Sequence, residues 1–305
     1  MAELGVELCG LRLRNPTMLA SGVLDETART MVEVARAGAG AVVTKSVGIS
    51  PREGHSNPCV VELDVGLLNA MGLPNPGIEY FSHEVAAVKR EGATVVGSVI
   101  GGTPEELAEV AALMAGAGAD AVELNLSCPH AKGLGTELGS TPEDVRRACG
   151  AAKDRLKVPL FAKLTPNTSS IAGLARAAEE GGADAVVAIN TLKGMAISPE
   201  ARMPILANRF GGLSGPAIRP VGVRCVYEIH DSVEIPVVGV GGISCGRDAL
   251  EYIMAGASAV QVGTAVWTRG PGVFRTICDE VSGFMDEHGY AKVGDMVGAA
   301  HATRH

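Results

Sequence analysis

The stretch Asn125-Leu126-Ser127-Cys128-Pro129 sets an amide, a hydroxyl and a thiol directly after an apolar run, Ala121 to Leu124. A strand that ends this way places reactive groups where regular backbone stops, on a loop held by a scaffold, which favours chemistry over packing. Cys128 is therefore a candidate base or nucleophile. Asn125, whose amide both donates and accepts, suits the orienting of a bound ring. The competing reading is a small buried hydrophobe at a strand end, a common fate of a lone Cys. What the other strand ends carry decides between the two.

Those ends carry matching polar groups. Apolar runs end in Ala20-Ser21-Gly22, in Thr44-Lys45-Ser46 and in Asn190-Thr191, and another contains Lys163. Burying an unpaired ammonium is costly, so two lysines in or beside apolar runs imply an anionic or electron-rich ligand. Two further ends are glycine turns ahead of helical segments, Val240-Gly241-Gly242-Ile243 and Val262-Gly263-Thr264. Glycine lets backbone come close, and N–H groups at a helix N-terminus favour phosphate. Gly212-Leu213-Ser214-Gly215-Pro216 precedes another helix and adds donors. Phosphate at one side, with Lys, Asn and Cys at the centre, describes a phosphorylated cofactor whose reactive ring lies over a pocket. Flavin mononucleotide (FMN) fits, with Lys163 stabilising negative charge at the N1–C2 edge of the reduced flavin. The alternatives are surface lysines and turn glycines without a ligand.

Bringing these groups to one rim requires strands that all run the same way. Eight short apolar runs qualify: Thr17–Ala20, Ala41–Thr44, Thr94–Val99, Ala121–Leu126, Leu160–Leu164, Ala185–Ile189, Pro236–Val240 and Ala259–Val262. Each is too continuous in apolar residues to be half exposed, which marks parallel strands covered on both faces. Helical segments lie between them. At Thr103-Pro104-Glu105-Glu106, Thr103 caps, Pro104 takes the first helical position and Glu106 closes a capping box. Leu107, Val110, Ala111 and Met114 then recur on one face, and Thr141-Pro142-Glu143-Asp144 repeats the start signal. Strands and helices alternating without a composition break give an α/β fold, a single (β/α)8 TIM barrel domain over residues 1–305. An open doubly wound sheet is the runner-up. The long connections, Ser46 to Ile78 and Lys193 to Leu213, fall on the C-terminal face where barrels bind ligands. Cys128 to Ser140, with Gly133, Gly135 and Gly139, reads as a lid over that face.

The bulk properties narrow the function. At 47% hydrophobic and 20% charged residues, the 305-residue chain supports a large core. A net charge of −8 without a basic stripe argues against nucleic acid. No apolar run is long enough to span a bilayer, and Met1-Ala2-Glu3-Leu4 lacks the order of a signal peptide, so the expectation is a cytoplasmic protein with no membrane partner. The cysteines at 9, 59, 128, 149, 225, 245 and 278 form no C-x-x-C pair, so neither a zinc nor an iron–sulfur site is written into the chain. Seven scattered thiols suit a reducing compartment.

Together the motifs resemble dihydroorotate dehydrogenase, class 1, and within it the class 1B catalytic subunit. The resemblance spans nearly the whole chain. It rests on Asn15-Pro16, Ala20-Ser21-Gly22, Thr44-Lys45-Ser46, the run Pro51 to Pro58 and the run Leu68 to Gly77. Asn125 to Pro129, Gly212 to Pro216 and Gly239 to Ile243 complete it. Cys128 argues against class 2, which resembles this chain but uses Ser there, as does the lack of a membrane-binding N-terminal extension. The resemblance implies FMN held by Ala20, Ser21, Gly22, Lys45, Ser46, Asn125, Lys163, Ile189, Ser214, Gly215, Gly241, Gly242, Gly263 and Thr264. It implies substrate held by Lys45, Asn69, Met71, Gly72, Leu73, Asn125, Asn190 and Thr191. Many relatives have Asn two residues after the Cys; here it is His130, which still donates a hydrogen bond or else faces solvent.

On the same resemblance, (S)-dihydroorotate gives its C5 proton to Cys128 and hydride from C6 to the flavin, leaving orotate. A separate subunit with FAD and a 2Fe-2S cluster then passes electrons to NAD+, around a homodimeric core in a heterotetramer. Cys245, beside the glycine turn, receives no chemistry, and the other cysteines read as packing. The rivals are a dihydropyrimidine dehydrogenase-like barrel, a tRNA dihydrouridine synthase and a non-catalytic phosphate-binding barrel.

Overall fold

The computed structural model describes residues 2–126 and 138–302. The eight apolar runs form β1 (Thr17–Leu19), β2 (Ala41–Val43), β3 (Val95–Val99), β4 (Ala121–Asn125), β5 (Leu160–Lys163), β6 (Ala185–Ala188), β7 (Val237–Val240) and β8 (Ala257–Val262). Each pairs in parallel with its neighbours, and β8 returns to β1 through Val260↔Thr17 and Val262↔Leu19, closing the barrel. Five strands stop one residue before the bounds expected from sequence, so that Ala20, Thr44, Leu126, Leu164 and Ile189 open the loops above them.

Between the strands run α1 (Ala28–Ala37), α2 (Ile78–Arg90), α3 (Pro104–Gly116), α4 (Pro142–Lys153), α5 (Ile171–Glu180), α6 (Arg219–His230) and α7 (Gly246–Met254), with α8 (Thr264–Arg269) and α9 (Val273–His288) after β8. The start signals act as caps. Thr103 Oγ1 accepts the Glu106 N–H at 3.1 Å, and Thr141 Oγ1 accepts the Asp144 N–H at 3.2 Å. The box expected at Thr103 does not close. The Glu106 carboxylate takes the Gly102 N–H at 2.8 Å, one residue before the cap, because the turn presents that donor within reach.

Period-two alternation along each strand splits the core in two. Val122 and Leu124 of β4 face outward into the layer shared with the helices, while Ala121 faces the barrel interior with Val43, Val96, Phe161, Val187 and Val238. A hairpin of Val6–Leu8 and Leu11–Leu13 closes the N-terminal end, with Leu8 and Leu13 packed into that interior cluster. The C-terminal end is roofed. The two long connections, which sequence leaves as loops, carry the strands Val60–Leu63, Gly66–Asn69, Leu192–Gly194 and Gly211–Ser214, joined in one antiparallel sheet.

Candidate functional site

A cavity of about 470 Å³ lies between the C-terminal strand ends and the roof. Every described residue assigned to FMN or substrate from sequence lines it, from Ala20, Ser21 and Gly22 on β1 round to Gly263 and Thr264 after β8. Cys128, His130 and the lid over 128–140, apart from its last three residues, lie outside the described residues.

Inward alternation places Asn125 and Lys163 side by side, as register partners of β4 and β5. Lys163 is 5% exposed. Its Nζ stands 3.3 Å from Glu123 Oε1 and donates to Gln261 Oε1 at 3.2 Å, while Gln261 Nε2 donates to Glu123 Oε2 at 2.7 Å. Glu123 and Gln261 are completely buried. Higher up, Asn125 Nδ2 donates to Ser46 Oγ at 3.1 Å and Asn125 Oδ1 accepts from Asn190 Nδ2 at 3.3 Å. Ser46 Oγ also meets Ser98 Oγ at 2.8 Å. The amides are thus held in fixed orientation, which suits recognition of a planar ring with alternating donors and acceptors.

Lys45 is buried too. Its Nζ donates to Glu26 Oε1 at 2.9 Å, and Glu26 is mostly exposed. Beside it, the Asp25 carboxylate accepts the Gly22 N–H at 2.5 Å and the Ser21 hydroxyl at 3.3 Å, which fixes the turn after β1. Burial pushes the Asp25 carboxyl above its ordinary range, against the opposing pull of the Lys45 ammonium.

The glycine turn after β7 is held from below. Buried Tyr252 of α7 donates its hydroxyl to the Gly241 carbonyl at 2.6 Å. Asp248 accepts the Ser244 N–H at 2.8 Å and the Ser244 hydroxyl at 2.7 Å, and pairs with Arg219. Gly242 has φ +73°, and a Cβ there would stand 2.7 Å from the Gly215 carbonyl oxygen. Gly215, at φ +96°, would in turn press a Cβ to 2.8 Å from the Gly66 Cα of the roof. Only glycine satisfies both positions, and the result is a backbone-lined concavity. Thr264 Oγ1 donates to Ser214 Oγ at 2.8 Å across it.

The roof supplies the remaining lining. Asn69 Nδ2 donates to the Gly212 carbonyl at 3.3 Å, and Arg52 Nε donates to the Gly72 carbonyl at 2.6 Å, so Asn69, Met71, Gly72 and Leu73 hang from a tied loop. Sequence reasoning missed Glu123, Gln261, Glu26, Asp25 and Tyr252. Glu123 left a signal, an acidic residue on the inward phase of an otherwise apolar strand, and Asp25 lies within four residues of the Ser21-Gly22 turn that it ties; the others pair across distances that local spacing does not show. Among the described residues six cysteines are free, and burial pushes the thiols of Cys149 up to about 12 and of Cys9 and Cys225 up to about 11, leaving them inert. No helix among the described residues is long and apolar enough to cross a membrane. No group of three His, Cys, Asp or Glu among them is arranged to hold a metal.

The fold and the cavity define a (β/α)8 barrel with a ligand site at its C-terminal mouth, cationic at the floor and glycine-lined at one wall. The chain belongs to the dihydroorotate dehydrogenase family, whose sequence profile matches residues 3–285. It is 52% identical over 300 residues to a protein of Thermoplasma acidophilum named dihydroorotate dehydrogenase B (NAD(+)), catalytic subunit, covering 98% of this chain and 99% of that one. A protein of the same name from Pyrococcus abyssi is 52% identical over 297 residues, covering 97% and 99%. Among solved structures, a dihydroorotate dehydrogenase of Eimeria tenella in complex with ferulenol superposes with a TM-score of 0.86 at 25% identity, covering 99% of this chain and 89% of that one.

Proposed function

We propose that this chain is an FMN-dependent dihydroorotate dehydrogenase that oxidises (S)-dihydroorotate to orotate in de novo pyrimidine (UMP) biosynthesis. One observation carries the reading: Lys45, Lys163, Asn69, Asn125 and Asn190 converge on a single cavity whose far wall is a glycine turn.

The residues present fit the cofactor. In the concavity formed by Gly215, Gly241 and Gly242, a Cβ at Gly215 or Gly242 would press into backbone, and a buried ammonium stands at the floor. Gly241, Gly242, Gly263 and Thr264 would hold the phosphate and Lys163 the pyrimidine edge of the ring, with Ala20, Ser21, Gly22, Ser46, Ile189, Ser214 and Gly215 completing the cradle. When bound, FMN supplies the acceptor for the hydride leaving substrate C6. The chain does the rest. The Lys45 ammonium meets the substrate carboxylate, and the asparagine amides match the donors and acceptors of the ring. Met71, Gly72 and Leu73 of the roof exclude water, and the Cys128 thiolate removes the C5 proton.

Reoxidation goes to NAD+ through a separate subunit carrying FAD and a 2Fe-2S cluster. The relatives' name, and the absence of a convincing dinucleotide fingerprint in this sequence, support that step. The same reading extends to a homodimeric core in a heterotetramer and to one domain over 1–305. A cytoplasmic location is supported by the free thiols among the described residues.

The purified chain is expected to be yellow, and anaerobic (S)-dihydroorotate to bleach its visible band. Cys128→Ala is expected to stay yellow while bleaching slows on the order of 10²–10⁴-fold, the usual worth of a general base. A colourless protein contradicts the cofactor assignment, and a full bleaching rate in the variant contradicts the base.

A further inference from the structure

The Lys163 ammonium has a counter-charge directly beneath it. Lys163 and Gln261 line the cavity, and Glu123 sits two residues deeper in the barrel, in register with Phe161. Its register partner on the other side, Ser98, is engaged with Ser46, and the cluster below is apolar. One carboxylate oxygen, Oε2, is taken by Gln261 at 2.7 Å; the other, Oε1, has no hydrogen bond and faces the ammonium at 3.3 Å. An ion pair so far from water is weak evidence for stability, since apolar side chains fill such a space at lower cost. Its charges are also little screened, so both act on anything bound above them.

We propose that Glu123 is a positioning residue for the redox reaction. Its carboxylate aims the Lys163 ammonium at the cavity floor and, as a fixed negative charge beneath it, offsets part of the pull that ammonium exerts on electrons entering the flavin. Gln261 is the strut that holds both in place. Lys163 alone makes the bound flavin a stronger oxidant, and Glu123 moderates it. The inference rests on the FMN reading above.

The test is the reduction potential of FMN bound to the full chain, measured by equilibration with reference dyes. Glu123→Gln keeps the shape and a partner for Gln261 but removes the charge. It is expected to move the potential positive by at least a tenfold change in the reduction equilibrium, about 30 mV for a two-electron couple. Glu123→Asp keeps the charge but draws it back from the ammonium. It is expected to shift the same way by less, and it stands in for Glu123→Gln should that variant not fold. A purely structural role would lower the melting temperature and leave the potential alone. An unmoved or negative shift, or failure of both variants to fold, overturns the proposal. A wild-type chain that takes up no FMN overturns the function reading and this inference with it. A yellow wild type with an unmoved potential in the variants overturns this inference only.

Discussion

A buried ammonium must meet a negative charge or a ligand. Lys45 meets Glu26, an exposed carboxylate that water already solvates, and on the proposed reading this pair gives way to a substrate carboxylate. Lys45→Met keeps the length of the side chain and removes the charge. It is expected to weaken orotate binding by about 2–3 kcal/mol, on the order of 30- to 150-fold, read as Kd from perturbation of the flavin spectrum. An unchanged Kd would remove Lys45 from the substrate site. Both lysines were legible in the sequence because each interrupts or borders an apolar run. Their carboxylate partners were not: Glu26 lies in a loop before a helix, and Glu123 reaches Lys163 only because β4 and β5 lie side by side. Cys128 drew attention by its neighbours alone, and its place lies outside the described residues.

At the scale of elements, the eight strands were legible because each is buried on both faces, which leaves a continuous apolar run as its trace. The roof was not. Its strands are short and mixed, and the partners of Gly66–Asn69 on one side come from residues 211–214, far along the chain. The N-terminal hairpin was likewise invisible, since three-residue strands leave little alternation to read. It fills the end of the barrel remote from the cavity. Leu8 is fully buried there, and Leu8→Ala is expected to cost about 2–5 kcal/mol of stability through the void it leaves. Thermal or urea unfolding followed by circular dichroism reads this loss, and the dissociation constant for FMN should stay as in the wild type. A shifted FMN affinity would mean that the hairpin supports the site as well as the barrel.

At the scale of the whole molecule, the chain on the proposed reading takes electrons onto a flavin and leaves their delivery to a nicotinamide to a separate subunit. The isolated chain is expected to reduce artificial dyes with dihydroorotate while reducing NAD+ at under about one hundredth of that rate, a gap of at least 2.7 kcal/mol in barrier. Rapid NADH formation at 340 nm by the chain alone would end the two-subunit reading. Acid sensitivity is expected at the other end of the fold. Burial pushes the His230 imidazole below its ordinary value, and the neighbouring His301 ring adds to this, against Asp231 and Glu234. The unfolded chain therefore takes up this proton first as pH falls. The stabilisation is fully present above about 6.5 and is lost as pH drops through the lower folded-state value. Melting temperatures across that window should fall less steeply in His230→Gln than in the wild type; parallel curves would exclude His230. Finally, the roof is one sheet woven from two insertions that leave the barrel at different strands. Neither can be transplanted alone, because half of it would arrive with a bare edge. Any attempt to re-tailor this enzyme for a new guest by loop grafting must move both pieces as a unit.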